Sequence, residues 1–218
     1  LLLWPLGEIY KAVTHARLRN ANSPHVGRPV ICIGNATAGG SGKTPIVQYI
    51  AQYLTEIGHK PHILLRGYGG HAAQTTRVDL QLHDAYDVGD EAQLHAAIAP
   101  TWVGRNRYQS AQAAIAAGAD VIVMDDGMQS PTIRPSARWL VMDAARGVGN
   151  GYGIPAGPLR EDVNHALARA DVVMLVGEGN YMPQTDKPVL RVNIAMDDAA
   201  RAALKDKLIY AFAGIGHP

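Results

Sequence analysis

A lysine and a threonine stand side by side at positions 43 and 44, behind Gly39, Gly40 and Gly42 in the run GNATAGGSGKTP (34–45). Those residue types in that order suit a phosphate chain. Glycines let backbone N–H groups turn inward around phosphate oxygens. Lys43 supplies a point charge for β- and γ-phosphates, and the Thr44 hydroxyl can ligate Mg²⁺. A helix starting there adds its N-terminal dipole. The usual spacing, G-x-x-x-x-G-K-[ST], would place a glycine at 37, where Thr37 stands instead. Threonine enters such a loop if its φ is negative, and its hydroxyl adds a hydrogen-bonding option.

A second set of residues fits the first. VIVMDD (121–126) is an apolar run ending in Asp125 and Asp126, where a strand tip would offer a carboxylate to Mg²⁺ directly or through water. In GDEAQL (89–94), Asp90 reads most simply as a helix N-cap with Gln93 completing a capping box. The alternative is a general base, with Glu91 near the metal. Nine histidines form neither H-E-x-x-H nor a Cys/His cluster, so zinc is not expected. The single cysteine, Cys32, excludes an internal disulfide, fits a reducing compartment, and reads as a small core residue.

These side chains need a scaffold that gathers them. Strands are expected over 29–34, 62–65, 119–126, 138–143, 170–176, 188–194 and 208–215, and helices over 44–57, 90–98 and 106–117. In the first helix Ile46, Val47, Ile50, Leu54 and Ile57 share one face, Pro45 suits the first turn and Gly58 the stop. The alternation predicts an α/β fold, P-loop NTPase-like, with a mostly parallel sheet flanked by helices. RGYGG (66–70), DDGMQ (125–129) and DAARGVGNG (143–151) would then join the glycine loop at the carboxyl edge of that sheet. Residues 195–206, polar and Ala-rich, are the best boundary or linker.

Twenty Lys+Arg against nineteen Asp+Glu leave a net charge of +1 over 218 residues, which is no nucleic-acid footprint. No obligate protein partner is evident either. No stretch is long and apolar enough to span a bilayer. At the start, however, Leu2, Leu6, Ile9 and Val13 fall at helical spacing beside Trp4, and Lys11, Arg17 and Arg19 outnumber Glu8. Such an amphipathic helix can lie in a membrane interface, or pack its apolar face on the domain, the commoner outcome. Basic residues follow the apolar run, which argues against a cleaved signal peptide. A start at Leu1 and a stop at Pro218 after an apolar run suggest a piece of a longer protein. The expected division is a membrane-associating helix over 1–28, a kinase core over 29–194, and a linker with the start of a further domain over 195–218.

No N-K-x-D or T-K-x-D guanine signature is present, and Ala38 stands where membrane-cycling ATPases carry lysine. PVICIGNATAGGSGKTP, RGYGG, GDE, DDGMQ, GNGYGIPAGPLRE and FAGIGHP, in that order, resemble the tetraacyldisaccharide 4'-kinases, the lipid A 4'-kinases of Gram-negative bacteria. That family carries threonine at the position of Thr37. The resemblance implies a peripheral enzyme on the cytoplasmic face of the bacterial inner membrane. It would move the γ-phosphate of ATP, with Mg²⁺, to the 4'-hydroxyl of a tetraacyldisaccharide 1-phosphate, giving lipid IVA.

Residue by residue, the resemblance implies ATP binding by Thr37, Ala38, Gly39, Gly40, Ser41, Gly42, Lys43 and Thr44. It makes Asp90 the base rather than a cap, and gives Glu91 with Asp125 or Asp126 to the metal alongside Thr44. Arg66, Tyr68, Asn150 and Arg160 would meet the sugar-phosphate headgroup. Turn glycines and a helix-start arginine are the structural alternative for GNGYGIPAGPLRE. The family usually has histidine where this chain has Ser130, and continues past GIG-x-P into a second domain. A kinase of a soluble small molecule and a membrane-bound ATPase switch are the competing functions.

Overall fold

The computed structural model describes residues 2–72, 74–195 and 198–207. Its strands are β1 (Val30–Gly34), β2 (Pro61–Leu65), β3 (Thr76–Arg77), β4 (Thr101–Val103), β5 (Val121–Asp125), β6 (Ala137–Asp143), β7 (Val172–Val176) and β8 (Val189–Val192). Its helices are α1 (Trp4–Arg19), α2 (Lys43–Glu56), α3 (Ala85–Val88), α4 (Asp90–Ala96), α5 (Arg107–Ala116), α6 (Val163–Arg169) and α7 (Asp198–Leu204). The strands form one sheet in the order β3-β4-β2-β5-β1-β6-β7-β8. Only the β3–β4 pairing is antiparallel.

The central strands are mostly apolar because both faces of the sheet are covered, as a parallel sheet requires. Successive residues serve opposite faces. Cys32, Leu64, Ile122, Met124 and Leu140 pack with Ala111 and Ala114 of α5 and Ala166 and Leu167 of α6. Their neighbours Ile33, Ile63, Val123 and Val141 pack with Ile46, Val47 and Ile50 of α2 and Ala92 of α4. Cys32 is fully buried, and burial pushes its thiol up to about 12, so it is an inert core residue.

The expected strands within the described residues are present: β1, β5, β7 and β8 are shorter by one to three residues, while β2 and β6 begin one residue earlier. Five elements were not expected: β3, β4, α3, α6 and α7. TWV (101–103) is too short for periodicity to register. Asp162 caps α6, accepting from the Asn164 and His165 amides, but α6 has only seven residues. Within the stretch read as a linker, Asp198–Leu204 is helical. The expected strand over 208–215 and the FAGIGHP run lie outside the described residues.

Helix α1 departs from the commoner outcome for its pattern. It meets the core along a narrow glycine side: a Cβ on Gly7 would sit 2.6 Å from the Gly153 carbonyl oxygen. His15 and His165 stack with ring centroids 3.9 Å apart, and Arg17 donates to the Gln129 carbonyl at 2.9 Å. The apolar face points away, leaving Leu6, Ile9 and Val13 53%, 60% and 61% exposed. Among the described residues no helix is long and apolar enough to cross a membrane.

Candidate active site

Strands β2, β5, β1 and β6 are neighbours and parallel, so the four motif loops leave the same sheet edge side by side. The loop after β1 is shaped by Gly39 (φ 103°) and by Gly42 (φ 78°), the N-cap of α2. Both angles favour glycine. Thr37 keeps a negative φ, because among the described residues only Asp126 and Asp206 are non-glycines with positive φ. A threonine therefore fits at that point of the loop.

Segment 158–160 braces the loop from outside. Ala38 donates to the Pro158 carbonyl at 2.6 Å, Arg160 donates to the Ala36 carbonyl at 2.7 Å, and Thr37 bridges Leu159. This backbone pairing is the physical content of the GPLRE motif, which neither a turn nor a helix start explains.

The two aspartates of β5 differ. Asp125 is buried against His95, whose Nε2 lies 2.9 Å from Asp125 Oδ2. Its other oxygen, Oδ1, is buried without a hydrogen-bond partner among the described residues. Asp126 turns toward the phosphate loop with φ 51°, a left-handed conformation that aspartate tolerates better than most residues. Arg160 grips both its carboxylate oxygens at 2.8 and 2.7 Å, and Lys43 Nζ lies 3.9 Å away. Buried Arg107 donates to the Asp126 carbonyl at 3.0 Å, holding the strained turn. Burial opposes the Asp126 charge, but Lys43 and Arg160 outweigh it and hold the carboxyl below the usual aspartate range.

Asp90 is not an N-cap. Gly89 occupies that position with no side-chain cap, and Asp90 is the first residue of α4. Gln93 donates to the His83 carbonyl, so no box closes there. The capping box lies one short helix earlier, between Asp84 and Asp87. Asp90 Oδ1 accepts from the Glu91 amide at 2.9 Å, and the residue faces solvent. The turn before it touches RGYGG: a Cβ on Gly89 would sit 2.6 Å from the Tyr68 carbonyl oxygen, so this glycine serves a close backbone approach.

Glu91, although exposed like Asp90, stands close enough to the same cluster to feel its charges. Partial burial of its carboxyl, then the nearby Asp125 charge, push it above the usual range, with Lys43 opposing. A raised folded-state pKa means that ionising Glu91 costs stability as pH rises through and above the unfolded value. Glu91→Gln should therefore raise the melting temperature of the ligand-free protein modestly at neutral pH. The advantage should fade below about pH 4, where Glu91 is protonated in both states. Melting curves at several pH values test this; a destabilised variant at pH 7 would contradict it.

The four expected headgroup residues do not share one environment. Arg66 and Tyr68 are exposed on the loop after β2, Tyr68 by 89%. Arg160 is engaged by Asp126. Asn150 holds its own loop, donating to the Ala156 carbonyl and accepting from the Tyr152 amide. Ser130 hydrogen-bonds Thr132 at 2.9 Å. Sequence reading missed His95, Arg107 and a cluster in which buried Asn35 and Glu161 meet half-buried Gln129 and Arg169. Gln129 and Glu161 were visible only as letters within DDGMQ and GPLRE.

Among the described residues no three His, Cys, Asp or Glu side chains converge as a self-contained metal cage. Magnesium takes one or two carboxylates and fills its remaining positions with phosphate and water. The orphaned Asp125 Oδ1, with Asp126, Glu91 and the Thr44 hydroxyl, could serve such an ion beside a phosphate chain.

Comparison with known proteins bears on the whole chain. The family profile for LpxK, tetraacyldisaccharide-1-P 4'-kinase, matches residues 1–218. The tetraacyldisaccharide 4'-kinase of Parvibaculum lavamentivorans is 45% identical over 229 residues, covering all of this chain and 65% of that protein. The Rhodospirillum centenum protein of the same name is 45% identical over 221 residues, covering all of this chain and 66% of that protein. The chain thus spans just under two thirds of the length of these relatives. A crystal structure of "apo" form LpxK from Aquifex aeolicus in complex with ATP superposes with a TM-score of 0.75 at 25% identity, covering 87% of this chain and 63% of that one. With the profile matching from end to end and the same architecture in a solved relative, this chain belongs to the tetraacyldisaccharide-1-P 4'-kinase family.

Proposed function

We propose that the protein transfers the γ-phosphate of ATP to the 4'-hydroxyl of a tetraacyldisaccharide 1-phosphate, giving lipid IVA. The observation that carries this reading is the gathering of Lys43, Asp126 and Arg160 at the phosphate loop, in a chain of this family. Phosphoryl transfer asks the protein for positioning and charge neutralisation more than for covalent chemistry.

In this reading, residues 37–44 wrap the phosphates, and Lys43 at the start of α2 takes up charge developing on the transferred group. Magnesium, when bound, neutralises the β- and γ-phosphate oxygens. Asp125, Asp126, Glu91 and Thr44 are its candidate holders. Asp90 accepts the sugar hydroxyl proton as that oxygen attacks in line. Arg66, Tyr68, Asn150 and Arg160 are candidates for the anionic headgroup, and Arg160 would have to share its fork between that headgroup and Asp126.

The experiment is transfer from γ-labelled ATP by the full-length protein, with the lipid disaccharide, soluble sugars and nucleosides as competing acceptors. Label on a soluble acceptor alone, or ATP-dependent dimerisation without any product, would displace this reading.

The exposed face of α1 is proposed to rest on the cytoplasmic surface of the inner membrane, beside a lipid whose acyl chains stay in the bilayer. Changing Leu6, Ile9 and Val13 together to serine should weaken co-sedimentation with anionic vesicles by about 10–100-fold. The melting temperature should move little, since these side chains are already in solvent. Salt should weaken binding less, because Lys11 is paired with Glu8 at 2.8 Å and Arg17 is tied to Gln129. Equal sedimentation of variant and wild type would remove the anchoring role.

A further inference from the structure

A buried carboxylate with no part in the proposed reaction lies behind the phosphate loop. Glu161 is 1% exposed, a costly place for a charge unless both oxygens are satisfied. Both are. Arg169 Nη2 donates to Oε2 at 2.6 Å, and Gln129 Nε2 donates to Oε1 at 2.8 Å.

The same Gln129 nitrogen donates to the backbone carbonyl of Asn35, also at 2.8 Å. Two pure acceptors face it, so only the amide nitrogen can stand there. The backbone carbonyl of Gln129 accepts from Arg17, so main chain and side chain of the residue are both held.

Asn35 is the hinge point. It follows the last residue of β1 and opens the phosphate loop. Its Nδ2 donates to Ser41 Oγ at 3.0 Å, across the base of the loop, and both residues are buried. A fixed Asn35 carbonyl therefore fixes the side chain that ties the two limbs of the loop together. The residues just before Glu161 pair with 36–38 on the outer side of the same loop.

We infer that Glu161, acting through the Gln129 amide, is a positioning residue for the phosphate loop. It orients the donor that holds Asn35, and through Asn35 the loop that would receive ATP. The inference rests on the ATP-site reading above.

Three variants of the full-length protein test it, each read by calorimetric affinity for a non-hydrolysable ATP analogue with magnesium and by melting temperature. In Glu161→Gln the amide oxygen is drawn to Arg169, and its NH₂ then opposes the Gln129 NH₂. Gln129 must turn away from Asn35, and affinity should fall roughly tenfold. Exchanging the pair, Glu161→Gln with Gln129→Glu, restores a donor and an acceptor between positions 129 and 161. It leaves no donor for the Asn35 carbonyl. Melting temperature should recover while affinity does not. Gln129→Met keeps the Arg169–Glu161 ion pair and should lose affinity to a similar extent; it decides the question alone if Glu161→Gln does not fold.

Recovery of affinity together with melting temperature in the exchanged pair would overturn the inference. So would wild-type affinity in folded Gln129→Met. Equal analogue binding by wild type and every variant sinks this inference alone, whereas a wild-type protein that does not bind the analogue sinks the ATP-site reading and this inference with it.

Discussion

Lys43→Ala should lower ATP-dependent phosphoryl transfer by at least about 10²–10³-fold, the usual cost of removing one group aimed at charge that develops in the transition state. No neighbour can take over. Arg160 is committed to both oxygens of Asp126, and Arg107 is buried with its donor on the Asp126 carbonyl. Lys43→Arg should not rescue, because a planar fork in that place would compete with Arg160 for Asp126. The fold should lose little, since Asp126 keeps its short contacts to Arg160 when the 3.9 Å pair to Lys43 goes. One further sign is expected. Lys43 helps hold the Asp126 carboxyl below its usual range, so Asp126 contributes stability above the unfolded pKa that is lost as pH falls through the folded one. With Lys43 gone that protection shrinks, and acid unfolding should begin at slightly higher pH. Labelled transfer and melting curves on one preparation give both readouts. Near-normal turnover would remove the nucleotide-site assignment.

Much of the sheet edge could be read from the sequence because its signals are local. An apolar run followed by glycines, lysine, threonine and a helical period needs only adjacent residues to be recognised. Asp125 and Asp126 were recognisable for the same reason, at the end of four apolar residues. Their division of labour was not. One points into the core at His95 and the other takes a left-handed turn toward Lys43, and both outcomes depend on partners 30 or more residues away. The Gln129–Glu161–Arg169 cluster was invisible because a buried carboxylate carries no sequence mark. Only the fold shows that DDGMQ and GPLRE touch. The apolar face of α1 was found by its spacing, but spacing does not say whether the face is covered. The covering is decided by a backbone approach between Gly7 and Gly153, two glycines that carry no periodicity. Asp90 shows where a local pattern misleads. Its D-x-x-Q pattern satisfies the capping-box rule, a reading the family resemblance already set aside, and Gly89, at φ 90° and close against Tyr68, takes the cap position instead.

The absence of a cap at Asp90 sharpens the second large effect. Asp90→Asn in the full-length protein is expected to lose about 10²–10⁴-fold in kcat, the range of a general base. An N-cap would behave differently: its replacement lowers stability by about 1 kcal/mol and spares the rate. The structure removes most of the grounds for a stability effect, since Asp90 caps nothing and its one side-chain hydrogen bond is to the adjacent Glu91 amide. Asparagine keeps that acceptor and the side-chain shape, so melting should change little while the ability to take a proton is lost. Affinity for ATP should also change little, because Asp90 stands on α4 and not on the phosphate loop. The loss should appear in kcat rather than in the acceptor KM, as expected for a group whose interaction strengthens only in the transition state. Position is what makes this specific. The start of α4 is pressed against RGYGG by the Gly89–Tyr68 approach, so a carboxylate there sits at the lip of the sheet edge where Arg66 and Tyr68 are exposed. Glu91, one residue on, feels the charges of Asp125 and Lys43. Kinetics on Asp90→Asn and Glu91→Gln side by side should therefore separate the two carboxylates. Asp90→Asn should be insensitive to magnesium concentration, whereas Glu91→Gln should be partly restored by raising it. A kcat for Asp90→Asn within a few fold of wild type would show that the acceptor proton leaves by another route.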